Sequence, residues 1–261
     1  MKDQVIVITG GSAGIGAALA ELVSNQGAKV ALLARREDKL KEVAARCGGE
    51  ALTIVGDVTR RADMERAVAT TVERFGHIDV WVNHAGRGIS RPVSQLTDED
   101  MDDMWLVNVK SAVYGMQAVL PHFKERKRGH IINISSMLGR VPFASIRSVY
   151  SACKHALNSL TANLRMEVRA EFPNIQVSSV HPGVVATEFG VSARHGGMDS
   201  RKLPGAQSAE EVAAVIAATI ESRKADVYTR PGAREMIARY YAHEDMGQAE
   251  QEPPFNFAPP K

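Results

Sequence analysis

Short apolar runs rich in β-branched residues alternate along this chain with longer stretches in which apolar positions recur every three or four residues. Lys2 to Thr9, reading KDQVIVIT, is the first strand candidate, and the helical pattern ALAELVSNQG follows Gly16 and ends near Gly27. KVALLAR is a second strand candidate and EDKLKEVAAR the start of a helix; Ala51 to Gly56 is a third strand candidate, and a helix runs from about Arg61 to Phe75. Asp79 to Val82 reads as a fourth strand. Leu96 to Asp100 opens the next helix, with Thr97 as N-cap and Asp100 in capping-box position. His130 to Ser135 is a fifth strand, a long helical segment holds Tyr150, and Ile175 to Val180 is a sixth strand. A helix from Ala209 to about Ser222, a seventh strand near Ala225 to Thr229 and a helix-like piece from Arg234 to Tyr241 complete the pattern. Mostly apolar strands alternating with helices predict an α/β fold, a doubly wound parallel sheet of seven strands with helices on both faces. No repeat or linker marks a second domain, so residues 1–247 are expected to form one unit. Within it, the Gly-rich stretch from Thr187 to Ala206 predicts a functional or mobile loop. Residues 248–261, with four prolines, predict an irregular tail, either disordered or laid across a neighbour.

Composition narrows the class of protein. The chain has 261 residues, 44% hydrophobic and 24% charged, which suits an ordinary globular protein. Its 32 basic and 30 acidic residues give a net charge of +2, so neither nucleic acid nor a membrane surface is expected as a partner. No apolar run reaches the roughly 18 to 20 residues of a spanning helix, and the immediate entry into a strand leaves no room for a signal peptide. A cytoplasmic location is the expectation. Cys47 and Cys153 are the only cysteines, which implies neither a disulfide framework nor a cysteine zinc cluster. Cys153 is read as a packing thiol, with a reactive one as the alternative.

Candidate chemistry begins at TGGSAGIG, Thr9 to Gly16, between the first strand and helix. Glycines at 10, 14 and 16 permit a tight turn and close backbone approach, leaving the helix amino end to receive a pyrophosphate. Beyond the second strand comes Arg35 where a site selecting against a 2′-phosphate usually offers a carboxylate. Arg35, and with less force Arg36, therefore favours NADP over NAD, the alternative being a solvated basic helix start. Asp57 either accepts a bond from an adenine amino group or caps the following helix. Asn83 to Gly86 leaves backbone exposed for a cofactor ribose, with His84 as a turn residue. Asn108, among apolar neighbours, is either a structural bridge or part of a polar relay. Lys124 to Arg128 is a solvated helix end. Ser136, at a strand end, is placed to hold a substrate carbonyl oxygen; as a nucleophile it lacks a G-x-S-x-G elbow. Tyr150 and Lys154 lie one helical turn apart, where an ammonium favours the phenolate and predicts a tyrosine pKa moved toward neutrality. Phe143, Phe189 and Met198 suggest an apolar side to the pocket, or else packing beneath the loop.

Together, TGGSAGIG, the Asp57 and Val58 pair, NHAG at Asn83 to Gly86, Asn108, Ser136, YSACK at Tyr150 to Lys154 and HPGVVAT at His181 to Thr187 closely resemble the short-chain dehydrogenase/reductase family. The resemblance spans residues 9 to 187 in the family's order. It implies a Rossmann-type fold and hydride transfer between a nicotinamide and a carbonyl or secondary alcohol. Tyr150 is implied as general acid or base, Ser136 as the residue orienting the substrate oxygen, Lys154 as the ribose ligand lowering the tyrosine pKa, and Asn108 as the holder of a relay water. The cofactor, NADP(H) preferred with NAD(H) as the alternative, is implied to contact Gly10, Ser12, Ala13, Gly14, Ile15, Gly16, Arg35, Arg36, Asp57, Val58, Asn83, Ala85, Gly86, Asn108, Tyr150 and Lys154. Pro182, Gly183, Val185 and Thr187 are implied beside its carboxamide. No metal is expected, and a homodimer or homotetramer is. Two departures stand out: His84 replaces a second Asn, and Ser136 and Tyr150 are separated by one residue more than the family usually shows. A sugar-nucleotide epimerase and a non-catalytic nucleotide-binding scaffold are the rival readings.

Overall fold

The computed structural model describes residues 1–253 and 255. Seven strands form one parallel sheet: β1 (Val5–Thr9), β2 (Lys29–Ala34), β3 (Ala51–Val55), β4 (Val80–Asn83), β5 (Gly129–Ile134), β6 (Ile175–His181) and β7 (Asp226–Tyr228). Their order is β3-β2-β1-β4-β5-β6-β7. Helices α1 (Gly14–Asn25), α2 (Glu37–Arg46), α3 (Arg61–Phe75), α4 (Asp98–Trp105), α5 (Ser111–Arg126), α6 (Ser148–Arg169), α7 (Ala209–Ser222), α8 (Ala233–Tyr241) and α9 (Met246–Ala249) connect and follow the strands.

Strand residues alternate between two cores, which is why whole strands read as apolar. Ile6, Ile8 and Leu32 pack with Leu19, Val23 and Ile216 from α1 and α7 on one face. Val7, Ala31 and Leu33 pack with Met64, Met116 and Phe123 from α3 and α5 on the other. Chain direction across the sheet reverses between β1 and β4. That reversal opens a crevice beyond the carboxyl ends of the strands, where ligands of such sheets bind.

Element boundaries differ from the sequence expectation by one to three residues at strand ends, while α3 and α7 start and stop where the periodicity puts them. The Thr97–Asp100 capping box forms with both bonds present. One helix expected through Asn108 is in fact α4 and α5 joined by a π turn, Leu106–Lys110. The wide turn carries Asn108 buried into the interior, a common device where a side chain is re-aimed. Cys153 is fully buried in the apolar cluster of Ile89, Met104 and Val149, and burial pushes its thiol up to about 11.

The tail expectation divides. Residues from Gln248 onward begin inside α9, and Ala249 and Phe255 pack on Val141, Ile237 and Tyr240 of this same chain. Tyr240 donates to Glu250 at 2.8 Å. The remainder of the tail, Pro254 and residues 256–261, lies outside the described residues. Among the described residues no helix is long and apolar enough to cross a membrane.

Candidate active site

A cleft of about 1420 Å³ runs along the carboxyl ends of the strands, from Arg35 and Asp57 at one end to Tyr150 and Met198 at the other. That volume exceeds the roughly 300 to 1,000 Å³ of a pocket for a single drug-sized ligand.

The turn after β1 sets the first wall. Gly14 has φ +55°, a left-handed conformation that a side chain strains, and a Cβ there would stand 3.3 Å from Thr187 Cγ2. Ala13, the N-cap of α1, offers no side-chain oxygen, so the first-turn N–H groups have no cap and face the cleft. Thr9 Oγ1 donates to Val82 O and accepts from the N–H groups of His84 and Ala85 at 3.0 and 3.2 Å. This hydroxyl ties β1 to the corner after β4. His84 lines the cleft there with its Nδ1 buried against the glycine turn, where a Cβ on Gly10 or Gly16 would stand 2.9 or 2.7 Å from it. Burial, and then the Lys154 charge, push its pKa down to about 4.

Arg35 and Arg36 are exposed at the far end. Arg36 reaches Ser12 Oγ at 3.4 Å, whereas Arg35 makes no hydrogen bond or ion pair among the described residues. Asp57 does not cap α3, whose N-cap is Arg60. Its Oδ1 instead accepts from Thr59 N and Oγ1 at 2.9 and 2.8 Å, closing a local turn before the helix.

Ser136, Tyr150 and Lys154 come together in the cleft wall, away from Arg35 and Asp57, and are all buried. Their register is set by Gly139 in the 3₁₀ turn Met137–Gly139: a Cβ there would lie 2.9 Å from the Lys154 backbone, so only glycine lets this turn rest directly on α6. Asn158 Nδ2 donates to Gly139 O at 2.7 Å and Ser151 Oγ to Leu138 O at 2.6 Å, clamping the same contact. Residues 140–147 form the loop between these elements. Lys154 Nζ donates to Ile134 O at 2.9 Å and lies 5.6 Å from the centre of the Tyr150 ring. Burial lowers the Lys154 pKa to about 8. Burial also pushes Tyr150 up to about 12, with a Ser136 hydrogen bond and the Arg147 charge acting the other way. The expected shift of Tyr150 toward neutrality is therefore not produced by the chain alone, because desolvation of a phenolate outweighs the charges around it.

Three residues of the sequence-derived set stand behind the cleft wall. Asn108 donates to Arg87 O and Met104 O, each at 3.0 Å, and accepts from Arg87 N at 3.1 Å, so its amide is fully engaged by backbone. Asn83 accepts from Trp81 Nε1 and donates to Ala112 O and Asn133 Oδ1, linking β4, β5 and α5. Gly16 lies within α1, under the turn. The others, including Val58, Ala85, Gly86, Pro182, Gly183, Val185 and Thr187, line the cleft.

Residues from Arg87 to Leu96 are expected from the sequence to line the pocket, and Arg87 does line it, whereas Arg147 in the same wall was missed. Arg147 had a legible signal, its position three residues before Tyr150. Also missed was a buried cluster beneath Ser136: His181, with Nδ1 3.4 Å from Ser136 O, contacts Asp226 at 2.7 Å, and Arg140 donates to Asp226 at 2.6 Å. Burial works to raise the Asp226 pKa, but His181 and Arg140 prevail and bring it down to about 2. Over the cleft, Phe189 packs on Tyr150 with ring centres 5.4 Å apart, while Phe143 also packs against the α8 cluster. The loop carrying Phe189 is latched to α4. Asp100, fully buried, accepts from Arg91, Arg194, His195 and the Thr97 N–H.

A model of the short chain dehydrogenase family matches residues 4–197. An uncharacterized oxidoreductase of Staphylococcus epidermidis is 36% identical over 187 residues, 72% of this chain and 80% of that protein. A short chain dehydrogenase/reductase from Burkholderia phymatum, in complex with NAD, superposes with a TM-score of 0.85 over 100% of this chain and 98% of its own; at 24% identity it supports the fold alone. An alcohol dehydrogenase from the archaeon Thermococcus sibiricus, complexed with 5-hydroxy-NADP, is 28% identical with a TM-score of 0.74, covering 86% of this chain and 94% of its own.

Proposed function

This chain belongs to the short chain dehydrogenase family and is an oxidoreductase of the nicotinamide-dependent kind, and from that premise we propose that it is an NADP(H)-dependent enzyme interconverting a carbonyl and a secondary alcohol, with Tyr150 as general acid and base. The observation that carries the reading is the convergence of Ser136, Tyr150 and Lys154, buried, on one cleft whose other end is an uncapped helix terminus.

The residues present fit a nicotinamide dinucleotide. The cradle after β1 has room because Gly14 carries no Cβ, and the α1 N–H groups lack a side-chain cap. Gly10, Ser12 and Ile15 would hold the phosphates, Val58, Ala85 and Gly86 the adenosine and ribose, and Pro182 to Thr187 the carboxamide. The unpaired Arg35 supports selection of a 2′-phosphate, with Arg36 beside Ser12 assisting. When bound, the reduced cofactor supplies a hydride to the carbonyl carbon and is left oxidised.

The chain's own residues manage the proton and the geometry. Ser136 Oγ, already accepting from Leu138 N at 3.1 Å, orients toward the substrate oxygen. Tyr150 keeps its proton at neutral pH and donates it as the alkoxide forms, and it receives it back in the oxidising direction. Lys154, poised near pH 8, stabilises the tyrosinate left behind, and Asn108 fixes the backbone at Arg87, in the corner after β4. Phe189 excludes water from the Tyr150 ring.

The test is nicotinamide absorbance during incubation with NADPH or NADH and a broad carbonyl panel. Consumption with NADPH that falls at least about a hundredfold in Tyr150→Phe, with cofactor affinity retained, is expected. Near-normal turnover in that variant, or cofactor binding without consumption in either direction, would overturn the proposal.

A further inference from the structure

Beyond Tyr150 the cleft wall carries a charge that the proton transfer does not need. Arg147 precedes α6 and stands three positions before Tyr150, so the two side chains leave the backbone about 5 to 6 Å apart. Its guanidinium lies between the corner after β4 and the loop from Thr187 to Ala206. A Cβ on Gly88 would be 3.0 Å from its Nη1, and one on Gly197 would be 3.2 Å from its Nη2. Among the described residues it makes one hydrogen bond, Nη1 to Ile89 O at 3.0 Å, and no ion pair. The neighbouring cleft arginines are matched: Arg87 pairs with Asp103 at 2.9 Å, and Arg201 with Asp199 at 2.8 Å. A guanidinium does not shed its proton, so partial burial without a counter-charge carries a cost that an anion arriving in the cleft would remove.

We infer that the substrate is a short oxo acid whose carboxylate is received by Arg147 while its carbonyl lies at Ser136 and Tyr150, an assignment that rests on the function proposed above. The first-turn spacing between Arg147 and Tyr150 suits a carboxylate one or two carbons from the carbonyl, a 2-oxo or 3-oxo acid. Free N–H groups on a planar fork match a carboxylate's two oxygens. Phe189, its ring tilted against that of Tyr150, gives an apolar surface for the carbon chain between the two polar ends. The carboxylate takes no part in the electron transfer and leaves unchanged, so the product is the corresponding hydroxy acid.

Matched substrates separate this role from a loop brace through Ile89. The reduction of 2-oxobutanoate and 3-oxobutanoate is compared with that of their methyl esters, using the full chain and NADPH or NADH. Wild-type kcat/KM for at least one acid should exceed that for its ester by at least about tenfold, and Arg147→Met should bring the ratio close to one, a change of about tenfold to a hundredfold. Arg147→Lys should retain part of the preference. Calorimetric binding of butanoate to the complex with oxidised cofactor should weaken in Arg147→Met, a readout that needs no turnover. A wild type that reduces the esters as well as both acids overturns the assignment, as does an Arg147→Met that slows acid and ester equally. Turnover of neutral ketones through Tyr150 with both acids refused also overturns it while leaving the proposed function standing. Acid turnover undiminished in Tyr150→Phe instead brings down the reading beneath it.

Discussion

Lys154→Met should make the protein more stable and less active at once. Lys154 is 4% exposed, and its ammonium has one protein hydrogen bond, to Ile134 O at 2.9 Å. Burial lowers its pKa from 10.5 to about 8. Each pH unit of displacement is worth about 1.4 kcal/mol, so keeping this group charged at pH 7 costs the fold about 3 kcal/mol. Methionine fills nearly the same volume without a charge and forfeits a hydrogen bond worth about 1 kcal/mol, which leaves a net gain of about 2 kcal/mol. Below pH 8 both folded and unfolded chains hold the lysine proton and the whole cost is present. Between pH 8 and 10.5 the folded chain releases that proton while the unfolded chain keeps it, so wild-type stability rises with pH across this window. At pH 9.5 about 1 kcal/mol of that cost remains, and the gap to the variant nearly closes. Tyr150, raised to about 12, contributes stability that is lost only above pH 10, outside the range needed. Urea unfolding of both proteins without added cofactor, at pH 7 and 9.5, measures the gap. A variant less stable than wild type at pH 7, or a gap that stays constant with pH, would refute the argument. Turnover in the variant should fall at least about a hundredfold if, as proposed, Lys154 stabilises the tyrosinate.

The remaining expectations concern the two ends of the cleft. Arg35→Ala should weaken NADPH binding at least about tenfold while changing NADH binding little, as read by fluorescence titration; equal weakening of both would remove the 2′-phosphate argument. Gly14→Ala forces a left-handed alanine costing about 1 to 2 kcal/mol and presses on Thr187, so affinity for either cofactor should drop about tenfold, and unchanged affinity would show that the turn tolerates a side chain. In Asp100, burial works to raise the carboxyl pKa, but His195, Arg194, the Thr97 N–H and Arg91 hold it well below the usual carboxylate range. Asp100→Asn should therefore free the loop from Thr187 to Ala206, raising substrate KM and the rate of proteolytic nicking within it; a nicking rate equal to wild type would mean the latch is held elsewhere.

Local order was legible in the chain because it depends on neighbours in sequence. Apolar runs buried on both faces marked the strands, 3.6-residue periodicity marked the approximate extent of α3 and α7, and Thr97 with Asp100 announced a capping box that forms as read. The glycine turn and the Tyr150–Lys154 pair were legible for the same reason, since each is a short-range spacing with a physical requirement behind it. Tertiary structure decided what no spacing encodes. It replaced one helix by two around the π turn at Asn108, and it took the Asn83 amide into the sheet, because buried amides must find partners wherever the packing supplies them. It spent Asp57 on Thr59 rather than on α3. It also set the sign of the Tyr150 shift: a lysine one turn away favours the phenolate, but burial is a property of everything packed around the ring, and here desolvation is the larger effect. Arg147 acquires its meaning in the same way, from a guanidinium that meets no carboxylate among the described residues where the corner after β4, the start of α6 and a distant loop come together, three segments that only the folded sheet unites.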